Sequence, residues 1–325
     1  MQSILFIELL GGIGDLLLAL PAIQSLARSH PQAQLRVLTY APGGMLLCDD
    51  PHVYDIIIAD RHSAHATVAA VLARRSFDLI VSTTNHSGIP ELIAQQRTVR
   101  TVTNLWRSPP PDQRVADRFL QILQAEDLIT PQSIAPARLY LSEQERQQAR
   151  VHLPPARPLV FLVPDAGMAI KRWPMRSYIE LGRALQQRYQ AHIVVPMGND
   201  PEQTIMLVAA LDSTAQVWPR GDLHNLAAAL SFADLVVAPD TGIAHIAAAL
   251  AVPTITLFGP SWYERYGHPA PHINLQGYTA CPERNIANFT EQTCWYASTC
   301  PLAMWHTCLE DIPPTAVLQA VRQML

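Results

Sequence analysis

Lysine is almost missing from this 325-residue chain: its 23 basic residues are 22 arginines and one lysine, Lys171. Charge is sparse altogether, at 15% of residues, and the formal net charge is −4. A general nucleic-acid binder carries a positive surplus to meet phosphates, so that class is excluded. No apolar run is long enough to span a bilayer. The opening SILFIELL is too short for a secretory leader, carries Glu8 and lacks a basic start, so a cytoplasmic enzyme is the expectation. Two phosphate-binding signatures are also absent. No Gly-Lys-Ser/Thr closes the turn Gly11-Gly12-Ile13-Gly14, which is therefore not a P-loop. Leu17 stands where the third glycine of a dinucleotide fingerprint belongs.

Apolar residues, in contrast, make up 49% of the chain, enough for sizeable cores. They fall into short buried runs separated by helical patterns. Strands are expected over 3–9, 35–40, 55–58, 78–81 and 98–103, with helices after the first and third. A helix over 142–151 opens with the capping box Ser142-x-x-Glu145. The proline-rich stretch VHLPPARP follows as a stiff linker, and the β/α pattern then restarts at 159–163 and continues to 258. This alternation predicts an α/β fold of two Rossmann-like, parallel-sheet domains, 1–153 and 154–325, facing an interdomain cleft. A terminal helix, 314–325, is expected to pack back on the first domain.

The most informative stretch is Val236–Ser261, VVAPDTGIAHIAAALAVPTITLFGPS. It reads as strand, tight turn, small-residue helix and strand. Asp240, Thr241 and Gly242 sit at a helix N-terminus, where free N–H groups and the helix dipole attract phosphate. Asp240 could equally be a helix cap, and His245 a hydrogen-bonded core histidine. Asp15, just past Gly12 and Gly14, is either a cap or a general base at the mouth of a cleft. Lys171 follows the first strand of the second half; a compact, mobile cation there could meet a diphosphate. Trp106-Arg107 and Arg114 are loop candidates for an anionic partner, though exposed arginines are commonly just solvated.

These pieces together resemble the heptosyltransferases of lipopolysaccharide assembly, glycosyltransferase family 9. The resemblance rests on Gly14-Asp15 followed by LLLALPAIQSLARSHPQAQL, on Lys171-Arg172-Trp173-Pro174, and on Asp240-Thr241-Gly242-x-x-His245-x-Ala247-Ala248 leading to Phe258-Gly259. It implies a GT-B fold and inverting transfer of a heptose from an ADP-sugar to a hydroxyl of a lipopolysaccharide core or a protein. It assigns Asp15 as catalytic base and Lys171 to the diphosphate. The sugar nucleotide goes to Gly12, Gly14, Asp240, Thr241, Gly242 and His245, with Glu202 a weaker match for the ribose. Its partners are a sugar nucleotide and a glycolipid or protein acceptor, with room for peripheral contact at the inner membrane and none for nucleic acid. No Asp-x-Asp is present, so the transfer requires no bound metal. Competing expectations are a sugar-nucleotide epimerase, which would need no acceptor, and a non-catalytic binding protein, which need not keep a base and a phosphate clamp together.

Four of five cysteines cluster: Cys281, Cys294, Cys300 and Cys308, with twelve, five and seven residues between them. Clustering in a cytoplasmic chain suggests metal before disulfide, yet no Cys-x-x-Cys pair of a common zinc module occurs. Relatives that glycosylate proteins carry a cysteine-bound iron, so the resemblance implies structural iron or zinc here. The alternative is four reduced thiols under a long loop. The surrounding stretch, 262–311, with Trp262, Trp295 and Trp305, is too apolar for a disordered linker and is expected to cap the donor site.

Overall fold

The computed structural model describes residues 1–106, 112–155, 157–287, 291–302 and 306–325. The chain divides into two compact units, Met1–Tyr140 and Leu141–Leu325.

The first unit runs β1 (Ser3–Ile7), α1 (Ile13–Ser29), β2 (Gln34–Tyr40), β3 (Asp55–Ala59), α2 (Ala64–Arg74), β4 (Leu79–Ser82), α3 (Ile89–Ala94), β5 (Arg100–Val102) and α4 (Val115–Ala125). Its five strands are parallel, in the order β3-β2-β1-β4-β5. β1 lies in the middle, so its residues Ile4 to Ile7 are fully buried. A central parallel strand covered on both faces must be a continuous apolar run, and this one is. Pro21 lies inside α1 without ending it. Helices α3 and α4 are not among the elements expected above. The first is only six residues long, and the second follows loop sequence directly.

The second unit runs α5 (Glu143–Arg150), β6 (Leu159–Leu162), α6 (Met175–Tyr189), β7 (His192–Pro196), α7 (Pro201–Ala210), β8 (Ala215–Trp218), α8 (Leu223–Leu230), β9 (Leu235–Pro239), α9 (Gly242–Ala249), β10 (Thr254–Phe258), α10 (Tyr263–Tyr266), β11 (Ile273–Gln276), α11 (Thr293–Ala297) and α12 (Pro314–Val321). Its six strands are parallel, in the order β11-β10-β9-β6-β7-β8. β6, β9 and β10 are buried along their whole length. The capping box expected at Ser142 is formed: Glu145 N–H donates to Ser142 Oγ at 3.3 Å, and Ser142 N–H to Glu145 Oε2 at 2.8 Å. The terminal helix α12 buries Val317, Leu318, Ala320 and Val321 in the core of this second unit. β11 adds an edge strand inside the stretch expected to be a cap, and all four of its residues are half-buried.

Among the described residues, no helix is long and apolar enough to cross a membrane.

Candidate functional site

In parallel α/β sheets the loops after the strands' C-terminal ends carry the ligands. The sequence-predicted residues fall on such loops, one set in each unit.

In the first unit the turn after β1 delivers Asp15 to the first turn of α1. Asp15 Oδ2 accepts from Gly12 N–H at 2.9 Å, the half of a capping box that a glycine N-cap allows. Gly12 is exposed and extended, and a Cβ there would lie 2.7 Å from Asp15 Oδ2. Gly11 adopts φ +120°, a region that favours glycine. Its carbonyl accepts from the Arg61 guanidinium, which lies 4.8 Å over the Tyr40 ring. Gly14 and Asp15 are half-buried. The cap reading of Asp15 is thus realised.

In the second unit, Lys171 and Asp240 meet across 69 residues of chain. Lys171 Nζ donates to Asp240 Oδ2 at 2.7 Å, and Ser261 Oγ donates to the same oxygen at 2.6 Å. His245 Nε2 stands 3.6 Å from Asp240 Oδ1, a contact rather than a hydrogen bond, and its ring packs edge-on against His268 at 4.7 Å. Burial pushes the Asp240 carboxyl up, but the Lys171 ammonium and His245 outweigh it and hold the group ionised, well below the usual carboxylate range. Thr241 is the N-cap of α9, yet its hydroxyl bonds nothing: Thr241 Oγ1 is buried with no hydrogen-bond partner. A buried hydroxyl without a partner at a helix N-terminus is a place where a ligand oxygen can settle a debt of about 1–3 kcal/mol.

The loop carrying Lys171 is built by its neighbours. Trp173 is buried, donates from Nε1 to the Ile312 carbonyl at 2.9 Å and packs edge-on against Tyr178 at 4.9 Å. Emptying that position would cost about 3–5 kcal/mol. Arg172 is spent on two carboxylates, Asp165 at 2.8 Å and Asp200 at 3.0 Å. Asp165 in turn accepts from the N–H groups of Asn199 and Asp200 after β7. Gly198 permits this approach, because a Cβ there would fall 2.3 Å from Asp165 Oδ2. Arg172 is thus engaged around its own loop, while Lys171 reaches Asp240. Its ammonium lies 4.5 Å from the centroid of the Trp295 ring on α11. Thr307 Oγ1 donates to the Ile170 carbonyl at 2.6 Å and Gln292 Nε2 to the Pro260 carbonyl at 3.1 Å. The cysteine-bearing segment therefore does lie against the Lys171 loop.

Glu202 lies exposed in the first turn of α7, and Arg114 pairs with Asp117 at 2.7 Å beside α4. Arg107 and Trp305 lie outside the described residues. Ser261, Trp295, Glu8, Arg61 and the Asp165–Arg172–Asp200 network were not predicted as site residues. Trp295 carried a signal as an aromatic in an unusually apolar loop, and Arg172 as part of the Lys171-Arg172-Trp173-Pro174 motif.

Cys281, Cys294, Cys300 and Cys308 line one pocket with Ile170 and Pro260. All four are free thiols. Their donor type suits zinc or iron, but among the described residues no three of the sulfurs lie within 4.8 Å of one another. A tetrahedral tetrathiolate site needs an edge of about 3.8 Å. Burial also pushes the Cys308 thiol up to about 12 and raises Cys294, which has Cys281 and Cys300 nearby. As placed, the four sulfurs share a pocket without three of them meeting at the spacing of one ion.

A family model described as glycosyltransferase family 9 (heptosyltransferase) matches residues 88–294, more than half of the chain. The chain belongs to this family. It is 29% identical over 213 residues to the lipopolysaccharide heptosyltransferase 2 of Salmonella typhimurium, covering 62% of this chain and 56% of that protein. The chain thus spans about half the length of that relative. Among solved structures, a family 9 glycosyltransferase from Veillonella parvula superposes with a TM-score of 0.82 at 20% identity, over 99% of this chain and 97% of that one. An E. coli heptosyltransferase with ADP superposes with a TM-score of 0.71 at 17% identity, over the full length of both chains. At these identities the superpositions speak to the fold, and the two parallel-sheet α/β units are those of a GT-B glycosyltransferase.

Proposed function

We propose that this family 9 protein is an inverting glycosyltransferase that moves a heptose, or a sugar like it, from an ADP-sugar to a hydroxyl of a lipopolysaccharide core. The observation that carries the reading is the Lys171–Asp240 pair at the start of α9, next to a buried Thr241 hydroxyl without a partner. A diphosphate arriving there meets the backbone N–H groups of Gly242 and its neighbours, the Thr241 hydroxyl and the positive end of the helix. Lys171 has three N–H donors and spends one on Asp240, so it can hold its carboxylate and a phosphate oxygen together. Asp240 itself is an anion and would repel phosphate; its role is to keep Lys171 charged and aimed. Glu202 is proposed to accept from ribose hydroxyls.

Transfer then needs a proton acceptor for the nucleophile. Asp15 fills that role: its carboxylate takes the acceptor hydroxyl's proton as the hydroxyl oxygen bonds to the sugar's anomeric carbon. The bond from that carbon to the β-phosphate oxygen breaks, and ADP leaves with the electron pair. Lys171 and the α9 terminus receive the charge that develops on the departing oxygen. Support for ADP as the nucleotide comes from the fold shared with the ADP-bound E. coli enzyme, and for lipopolysaccharide from the Salmonella relative.

The test is ADP release from ADP-heptose, with and without a heptose-deficient lipopolysaccharide core. Release only with the core, lost in Asp15→Ala, supports the proposal. Conversion of the sugar nucleotide without any acceptor would point to epimerase chemistry, and binding without turnover to a non-catalytic role.

A further inference from the structure

Three ionisable side chains grip three consecutive residues of the glycine turn in the first unit. Leu10 N–H donates to Glu8 Oε1 at 3.0 Å, the Gly11 carbonyl accepts from Arg61, and Gly12 N–H donates to Asp15 Oδ2 at 2.9 Å. Gly11 sits at φ +120°, a backbone conformation that favours glycine. Of the three, Glu8 is the one whose charge is out of place. It is 1% exposed, and among the described residues it forms no ion pair. Its second oxygen lies 3.2 Å from Thr39 Oγ1.

The groups around Glu8 come from every neighbouring element. Asp15 faces it from α1, and Arg61 from the segment after β3. Tyr40, at the end of β2, feels both Glu8 and Asp60. The loop after β4 contributes only uncharged hydroxyls, Thr83 to the Ile7 carbonyl and Thr84 to Leu9 N–H. Burial and, after it, the Asp15 charge push the Glu8 carboxyl up to about 8. The Leu10 N–H, Thr39 and Arg61 pull the other way without offsetting them. At neutral pH Glu8 is therefore mostly protonated, and a protonated carboxyl can donate to Thr39 while still accepting from Leu10.

We propose that Glu8 is a positioning residue for Asp15: it pins the turn from which Asp15 hangs through Leu10 N–H, and when ionised it sets a second negative charge beside Asp15. The proposal rests on the reading of Asp15 as the base. It adds to that reading an alkaline control of the base that lies in the first unit alone.

Carboxyl carbon-13 NMR titration of the full chain tests it, with the Glu8 resonance assigned by its loss in Glu8→Gln. The expected midpoint is about 8, moving down in Asp15→Asn as the neighbouring charge is removed. The pH profile of ADP release from ADP-heptose with core acceptor should lose its alkaline limb in Glu8→Gln. A Glu8 midpoint below about 5, in the ordinary carboxylate range, overturns the proposal, as does a midpoint indifferent to Asp15→Asn. An alkaline limb that is identical in wild type and Glu8→Gln overturns it too. If Asp15→Asn keeps full turnover, the base assignment falls and the positioning role falls with it. That failure is told apart by a titration that still shows the coupled pair.

Discussion

Two turns of the same kind, one in each unit, use an aspartate at a helix start in opposite ways. Asp15 is half-buried, bonded to its own turn through Gly12 N–H, and has another carboxyl for a neighbour. Asp240 is buried, receives Lys171 and Ser261 on one oxygen, and is held firmly ionised. The same residue type at the same place in a strand–turn–helix unit is the proposed proton acceptor in the first unit and the anchor of Lys171 in the second. Environment, not residue type, divides the labour.

The comparison breaks most visibly at Asp15. Asp15→Ala should lower turnover about 10²–10⁴-fold, as loss of a general base does, in an ADP-release assay. If turnover falls less than tenfold, the first turn is only a cap. Lys171→Ala should act on stability as well. It strands a buried carboxylate, which costs about 3–5 kcal/mol in urea unfolding at neutral pH. Asp15→Ala, which removes the bond to Gly12 N–H, should cost about 1 kcal/mol, the worth of a helix cap. Equal destabilisation by the two would erase the distinction between anchor and base.

Glu8 sharpens the contrast through pH. In the unfolded chain it ionises near 4.5, and in the folded chain near 8. Folding therefore binds a proton between those values, and this group's contribution to stability falls as pH rises from about 4.5 to about 8. Glu8→Gln has no proton to bind. It should match wild type in the acid range and exceed it by up to a few kcal/mol at about pH 9, read by chemical denaturation. A constant difference across pH would contradict the buried, uncharged state. The smallest effect belongs to Trp295→Ala, which removes the aromatic face over Lys171. Weakening of ADP binding by about threefold to thirtyfold is expected, the worth of one cation–π contact. No change would mean that the ring merely lies near the lysine.

The β/α alternation was legible because central parallel strands are buried on both faces and read as unbroken apolar runs, as in Leu235–Pro239 and Thr254–Phe258. β11 was not, because an edge strand with half-buried residues has no such run. In the site, Lys171 stood out as the chain's sole lysine, and the Asp240 turn stood out for its pattern. Their pairing was invisible, since 69 residues separate them. Arg172 entered the sequence reading only as part of the Lys171 motif, and its engagement by Asp165 and Asp200 is visible only in three dimensions. Glu8 entered the sequence reading only as a charge in the opening apolar run; its burial next to Asp15 is a three-dimensional property. The four cysteines share one pocket, which their clustering in sequence suggested, but the distances between their sulfurs could not be read from spacing.

Calorimetric titration of ADP into Asp15→Ala and Lys171→Ala, beside wild type, tests the division of labour most directly. The account predicts that Asp15→Ala binds ADP as wild type does, while Lys171→Ala binds at least about tenfold more weakly, the loss of a charge-assisted contact. Loss of ADP binding in Asp15→Ala, with binding intact in Lys171→Ala, would contradict it.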